Sequence, residues 1–166
     1  MSVRCATIIA SICLSLTAAI AQQREPPLFQ GIMVDSKGKT IGRIIGWNPV
    51  IVARQISGVW VALPALVDGL EATDPNGIGY FFRSADCAGP RYMQVTNLPV
   101  QSAVATVPPA TQPSVFFPGT PVSFLSIASQ MYGTTCEPVP VRTVYVGPVQ
   151  SVPVSTLGLT PPFTVK

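Results

Sequence analysis

The chain contains no histidine, and only 10% of its residues are charged. It therefore lacks the commonest general base, the usual partner of a catalytic serine or cysteine, and the main zinc ligand. The net charge of +3 is small and its lysines and arginines are scattered, which argues against capture of nucleic acid or anionic lipid. No glycine-rich phosphate loop joins a strand to a helix. We expect no cofactor and no nucleic-acid partner.

Long apolar runs are confined to the N-terminus, where residues 1–21 have the three parts of a secretory signal peptide. Arg4 supplies the positive charge, residues 6–16 form an apolar core too short to span a bilayer comfortably, and residues 19–21 form an A-x-A cleavage site. The alternatives are an uncleaved anchor, which would lack a stop-transfer cluster, and a lipoprotein at Cys13, where the preceding residue is too bulky. We expect a secreted or periplasmic protein without a transmembrane segment after cleavage.

Cysteine is also scarce, with four residues in the whole chain. Cys5 and Cys13 would leave with the signal peptide, so Cys87 and Cys136 would remain as a pair in an oxidising compartment. Their bond would close a loop of 49 residues, for which the chain-entropy model gives roughly 4 kcal/mol. A redox-active pair would favour C-x-x-C spacing. We predict a structural disulfide between two distant hairpins.

Proline and glycine are abundant, at 18 and 13 residues, and they interrupt the chain too often for long helices. The short runs between them are rich in β-branched and aromatic residues, which is typical of closely spaced strands. We predict an all-β fold, a meander of short antiparallel hairpins forming a sandwich or irregular barrel. Four parts are expected in order: signal peptide (1–21), N-terminal extension (22–30), β domain (31–150) and Pro/Thr-rich C-terminal segment (151–166).

Three hairpins are predicted in succession from their turn residues. They cover residues 31–45 with a turn at 35–39, residues 50–63 with a turn at Ser57-Gly58, and residues 80–95 with a turn at 86–90. In the second hairpin, the alternation of residues predicts that the two arms present different faces. One face would carry Val50, Val52, Arg54 and Ile56, and the other would carry Val59, Val61 and Leu63.

The chain changes character from residue 99 onward, where twelve of the prolines lie. Short strands are predicted at residues 103–107, 115–117 and 139–146. Residues 122–131 fit a strand or one short helix, and the neighbouring prolines favour the strand. Residues 151–166 fit an edge segment packed on a sheet, a polyproline-like stretch or a mobile tail, and their valine, leucine and phenylalanine favour packing.

One acidic cluster stands out as a candidate calcium site because carboxylate and amide oxygens suit Ca²⁺. Its members are Asp68, Glu71, Asp74 and Asn76. The spacing of an EF-hand fails, since Ile78 stands at the fifth position and no glutamate at the twelfth. A β-turn explains residues 75–77 more simply.

Aromatic residues are the other candidates, because they can form a stacking platform for sugar rings. The three strongest are Trp60, Tyr80 and Tyr92, although core packing accounts for aromatics in an alternating strand without a ligand. Tyr80 and Tyr92 are also expected to form a cross-strand pair. The arginines near them are interpreted as solvated strand faces: Arg54, Arg83 and Arg91.

Four stretches together resemble a group of bacterial secreted proteins without an assigned function: D-S-K-G-K-T-I-G (35–42), A-R-Q-I-S-G-V-W-V (53–61), Y-F-F-R-S-A-D-C-A-G-P-R-Y (80–92) and the later Cys136. The group shares an aspartate-glycine hairpin, a second hairpin, and an aromatic pair followed by x-S-x-D-C-x-G with a partner cysteine downstream. The resemblance covers residues 31–137. Similar modules sit beside collagen-like or tail-fibre-like segments, which implies an adhesive or structural role and assigns no catalytic or binding residue.

Three functions are compatible with these residues. The first is a secreted, non-catalytic module that binds a protein or glycan surface or scaffolds an assembly. The second is a carbohydrate-binding or carbohydrate-active protein that uses aromatics and carboxylates, as many glycosidases do. The third is an inhibitor with a protruding loop at residues 108–121. Two carboxylates in a cleft beside exposed aromatics would favour the second function, and a long exposed segment would favour the third.

Overall fold

The computed structural model describes residues 31–106 and 111–166, and the predicted signal peptide and extension (22–30) lie outside them. The described residues form strands and two short 3-10 turns, Pro75–Gly77 and Val154–Leu157, so the all-β prediction is confirmed. The strands are β1 (Ile32–Val34), β2 (Thr40–Trp47), β3 (Val50–Ile56), β4 (Val59–Leu66), β5 (Gly69–Leu70), β6 (Gly79–Phe82), β7 (Tyr92–Gln94), β8 (Val100–Gln101), β9 (Ala103–Ala105), β10 (Ser114–Pro118), β11 (Ser123–Tyr132), β12 (Thr135–Pro153) and β13 (Thr164–Val165).

The first sheet has the order β13-β1-β2-β3-β4-β5, with β8 beside β4 in parallel. The first predicted hairpin is β1–β2, and its turn depends on Asp35. The Asp35 carboxylate accepts hydrogen bonds from the amides of Lys37 (2.9 Å) and Lys39 (2.8 Å). Gly38 has φ +78°, which a glycine adopts without strain.

The second predicted hairpin is β3–β4, reversed by Ser57 and Gly58 with φ of 50° and 82°. Two residues with positive φ give the turn that matches the twist of flanking strands. The predicted assignment of the two arms to different faces is wrong. Arg54 lies opposite Val61, and directly opposed residues point to the same side of a sheet. Both arms therefore send their alternate side chains into one core.

The second sheet has the order β11-β6-β7-β12-β10-β9, and β11 also pairs with β12. The pairings β11–β6, β6–β7, β7–β12 and β12–β11 thus close into a four-stranded ring. The third predicted hairpin, β6–β7, belongs to this ring and does not continue the meander of the first sheet. Its register places Phe81 opposite Tyr92, so the expected Tyr80–Tyr92 pair is wrong.

β11 and β12 form a long two-stranded ribbon. The prolines within β12 and next to β11 made these strands hard to predict from the sequence. The stretch 122–131 is strand from Ser123 onward, as favoured, and the predicted strand at 139–146 extends to Thr135–Pro153. The register jumps between Ile127, which faces Arg142, and Ser129, which faces Pro138. The extra residues on β12 form a bulge. Proline has no N–H to donate to the strand ladder, and a bulge is one of the places where a sheet tolerates it.

The β9–β10 pair forms the middle of the molecule because it is buried on both faces. One face, with Val104 and Phe117, joins the core of the first sheet, while the other, with Ala103 and Phe116, packs against Tyr80 and Phe82 of the ring. Residues 114–118 are therefore an internal strand. They do not form the protruding loop expected of an inhibitor, and residues 107–110 are outside the described part.

The C-terminal segment packs against the first sheet, as favoured. Leu157 (7% exposed) and Phe163 (3%) lie in its core, and β13 pairs with β1. The ring has its own interior, formed by Phe81, Ile127, Val144 and Val146. The molecule thus has three hydrophobic clusters, which lie against the first sheet, on the outer side of the ring and inside the ring.

Candidate functional site

A cleft of about 400 Å³ opens between the ring and the end of β9. We call it the Arg91 cleft. Its lining comes from five separate segments: Pro75, Asn76, Tyr80, Arg91, Thr106, Gly133 and Thr134. Arg91 is the one charged side chain among them. Its volume lies in the range of about 300–1,000 Å³ that is typical of small-molecule sites.

The first wall of the cleft is the 3-10 turn Pro75–Gly77. The Asp74 carboxylate accepts a hydrogen bond from the amide of Asn76 at 2.9 Å, and the Gly77 amide donates to the Asp74 carbonyl at 2.8 Å. This cap stabilises the start of the turn. The amide of Thr73 donates to the carbonyl of Val104 at 2.6 Å, which fixes the turn to β9.

A second part of the cleft lining is the two-residue turn of the β11–β12 ribbon, which touches the first. Gly133 has φ +57°, and a Cβ added there would overlap Oδ1 of Asn76. Only glycine allows so close an approach at this backbone angle. The Asn76 side chain therefore rests on the Gly133 backbone, and Thr134 lies beside it in the lining.

The disulfide connects the β6–β7 and β11–β12 hairpins, as predicted. Cys87, in the β6–β7 connection, is bonded to Cys136 of β12, with 5.9 Å between their Cα atoms. The amide of Cys87 donates to the hydroxyl of Ser129 at 3.1 Å, and this hydroxyl donates to the carbonyl of Ser84 at 2.7 Å. Ser129 is fully buried, so both of its hydrogen bonds hold the connection against β11.

The S-A-D-C-A-G motif (84–89) closes this connection on itself. The amide of Ala88 donates to Oγ of Ser84 at 2.9 Å and to the Asp86 carboxylate at 3.3 Å. Hydrogen bonds from the Ser84 hydroxyl and the Ala88 amide hold the pKa of Asp86 below its ordinary value. The Ser84 hydroxyl has a second acceptor, the carbonyl of Ala88 at 2.8 Å, and donates to one at a time. The motif is thus a local turn that carries Cys87.

Arg91 provides the charge of the cleft. Its guanidinium carbon lies 5.3 Å from the centre of the Tyr80 ring, within cation–π distance. Tyr80 is 4% exposed. Burial raises the pKa of its hydroxyl, and the nearby positive charge of Arg91 only partly opposes this effect. Tyr80 therefore stays neutral at pH 7, and its ring packs against the Arg91 guanidinium.

The predicted ligand residues are not brought together. Tyr80 lines the cleft, while Tyr92 points into the ring interior opposite Phe81, and Trp60 lies on the first sheet opposite Gln55. Because Arg91 covers the Tyr80 ring, this tyrosine does not offer a free stacking face.

The acidic candidates likewise do not converge. Asp68 is exposed in the turn between β4 and β5, and the Asp74 carboxylate is engaged with the Asn76 amide. Within residues 31–106 and 111–166, no group of three or more acidic, cysteine or histidine side chains is placed to hold a metal ion. The carboxylate of Glu71 also stays outside any such group.

A second arginine covers the neighbouring aromatic on the opposite side of β6. The guanidinium carbon of Arg142 lies 6.0 Å from the centre of the Phe81 ring, beside a cavity of about 400 Å³ lined by Gln130, Val139, Pro140, Val141 and Arg142. In this cavity the side chains other than Gln130 and Arg142 are apolar. It offers fewer polar partners to a ligand than the Arg91 cleft.

Sequence reasoning missed Arg91, Thr106 and Thr134 as cleft residues. The interpretation of Arg91 as a solvated residue agrees with its exposure, but its place over Tyr80 follows from a register that the turn residues do not define. Arg54, in contrast, is half-buried, and its guanidinium donates to the carbonyls of Thr40 (3.3 Å) and Ile41 (3.1 Å).

Comparison of the chain with protein-family models, curated proteins and solved structures found no match. In the described part of the chain, no helix has the length and apolarity that a membrane span requires.

Proposed function

We propose that this protein is an exported, non-catalytic binding module whose ligand occupies the Arg91 cleft. The observation that supports this most directly is the cation–π arrangement of Arg91 over buried Tyr80 inside a cleft of about 400 Å³. Arg91 is exposed, so its positive charge lies at the open surface of a concave site whose lining also includes Pro75 and Tyr80. Small-ligand pockets commonly combine a few polar groups with apolar walls.

The side chains of the cleft support binding better than catalysis. Arginine stays protonated and tyrosine with a raised pKa stays neutral, while threonine and asparagine offer hydrogen bonds without exchanging protons near pH 7. A glycosidase would use two carboxylates across a cleft. Neither aspartate nor glutamate lines the Arg91 cleft, the cavity beside Arg142, or a third cavity of about 260 Å³ formed by residues between 73 and 103.

Export is supported by the disulfide and by the signal-peptide pattern of residues 1–21. The resemblance to bacterial secreted proteins agrees with a secreted or periplasmic location. The disulfide would then form after transport, in an oxidising compartment.

Two measurements test this proposal. N-terminal sequencing of the protein recovered from a bacterial periplasm or medium is expected to begin at Gln22, and thiol titration is expected to find no free cysteine. A screen of the purified exported protein against glycans and cell-envelope proteins is expected to find a ligand whose binding is lost in Arg91→Gln. A ligand that binds this variant and the parent equally would contradict the assignment of the cleft.

A further inference from the structure

No carboxylate of the described residues neutralises the charge of the Arg91 cleft. Within residues 31–106 and 111–166, Arg91 forms no ion pair, and its guanidinium interacts with the Tyr80 ring instead. An arginine held over an aromatic ring keeps its planar set of N–H donors available at its edge. Arg91 is exposed, so the cleft presents a cation whose N–H donors are open to solvent and to a ligand.

The rest of the lining has the chemistry of a polyhydroxylated ligand. Thr106 and Thr134 bring hydroxyl groups from two different segments, and Asn76 brings an amide. Hydroxyl and amide groups donate and accept hydrogen bonds, as sugar hydroxyls do. A cleft of about 400 Å³ also has more room than one carboxylate group needs, since drug-sized ligands occupy pockets of about 300–1,000 Å³.

We propose that the Arg91 cleft binds an acidic carbohydrate through the carboxylate of a uronate residue. This inference rests on the proposed function and names the ligand class of the same site. A guanidinium pairs with a carboxylate through two parallel hydrogen bonds, and the threonine and asparagine side chains receive the ring hydroxyls.

Two other ligand classes fit the cleft less well. A phosphate-rich polymer such as nucleic acid is held by many basic side chains, whereas this lining has a single arginine. A neutral sugar is commonly held by stacking on an aromatic face, but the Tyr80 ring is 4% exposed and lies against Arg91. The charge of the ligand, rather than stacking, is therefore expected to determine recognition.

Isothermal titration calorimetry of the purified exported protein tests the inference. The ligand pair is trigalacturonate and its fully methyl-esterified form, which differ in charge but keep the same ring hydroxyls. We expect trigalacturonate to bind at least tenfold more tightly than the ester, with an affinity that falls as salt is raised. We also expect sodium acetate, the carboxylate without the sugar, to bind at least tenfold more weakly.

The matched variants are Arg91→Gln and Arg83→Gln. Arg83 is an exposed arginine of the same β6–β7 connection and is not part of the cleft lining. Trigalacturonate binding should fall at least tenfold in Arg91→Gln and remain within twofold in Arg83→Gln, with unchanged melting temperatures. If Arg91→Gln does not fold, Thr134→Val provides the second test and should weaken trigalacturonate binding by about three- to tenfold.

Each remaining outcome counts against the inference. Equal binding of trigalacturonate and its ester would overturn the role of charge, and acetate binding as tightly as trigalacturonate would overturn the carbohydrate. If trigalacturonate does not bind but another ligand from the envelope screen depends on Arg91, the ligand class is wrong and the binding module stands. If no ligand depends on Arg91, both proposals fail.

Discussion

The carboxylate of Asp35 accepts a hydrogen bond from the amide of Thr160, at 3.1 Å and across 125 positions of sequence. The same carboxylate caps the β1–β2 turn through the amides of Lys37 and Lys39. One buried side chain (3% exposed) thus joins the first turn of the first sheet to the C-terminal segment. This explains why β13 can pair with β1 at the sheet edge.

The Asp35 hydrogen bonds make stability depend on pH. Burial raises the pKa of Asp35, but hydrogen bonds from the amides of Lys39, Thr160 and Lys37 outweigh it and hold the pKa below the ordinary value of 3.8. A lowered pKa in the folded state stabilises the protein above the unfolded-state pKa, and this contribution is lost as pH falls through the folded-state pKa. We expect Asp35→Asn to lower the urea midpoint at pH 7 and to have a smaller effect at pH 3.

Asp68→Asn is the matched control for this prediction. Asp68 is exposed in the β4–β5 turn, so its substitution should leave the urea midpoint nearly unchanged at both pH values. An equal loss for Asp35→Asn at pH 7 and pH 3 would show that the ionised carboxylate is not responsible.

The Cys87–Cys136 bond should contribute to stability mainly by restricting the unfolded chain. It joins residues 49 positions apart, which corresponds to about 4 kcal/mol in the chain-entropy model. The double variant Cys87→Ser/Cys136→Ser is expected to lose free energy of unfolding of about that size in urea denaturation.

A reductant provides the control for the disulfide. It should destabilise the parent protein by a similar amount and leave the double variant unaffected. A parent protein whose urea midpoint is insensitive to complete reduction would contradict a stabilising disulfide.

Local turn chemistry explains how much of the fold the sequence could predict. The turns at residues 35–39 and 57–58 have residues that suit positive φ, and both hairpins were predicted correctly. The assignment of the third hairpin to a second sheet depends on its pairing with β11, more than 40 positions away. No local pattern contains that contact.

The register of the third hairpin explains the error in the candidate site. The sequence led us to expect Tyr80 opposite Tyr92, whereas Phe81 occupies that place. A shift of one residue moves every side chain to the other face of a strand. It therefore separates Tyr80 from Tyr92 and places Tyr80 beneath Arg91.

Gly133 should be less replaceable than other glycines with positive φ. Gly38→Ala adds a Cβ in open space at φ +78°, so only backbone strain of about 1 kcal/mol is expected. Gly133→Ala has comparable strain at φ +57°, and its Cβ would also collide with Asn76. We expect about 1–2 kcal/mol more destabilisation than for Gly38→Ala, measured by urea unfolding. Equal losses for the two variants would contradict the close packing of the cleft walls.

The burial of β10 predicts that truncating a phenylalanine of this strand destabilises the protein much more than truncating an exposed phenylalanine of β11. Phe117 is fully buried in β10 and contacts the first sheet, while Phe124 of β11 is 71% exposed and touches Tyr145 with a ring separation of 4.8 Å. Phe117→Ala is expected to cost about 3–5 kcal/mol, because it leaves a cavity in a packed core. Phe124→Ala should cost about 1 kcal/mol or less, since only an exposed aromatic contact is lost.

Urea denaturation of both variants, followed by far-ultraviolet circular dichroism, gives the two free energies. The comparison addresses the architecture directly, because residues 114–118 would tolerate truncation if they formed a surface loop. If Phe117→Ala cost as little as Phe124→Ala, β10 would not separate the two cores. The position of Thr106 in the cleft lining would then also be in question, because Thr106 directly follows β9, and β9 pairs with β10.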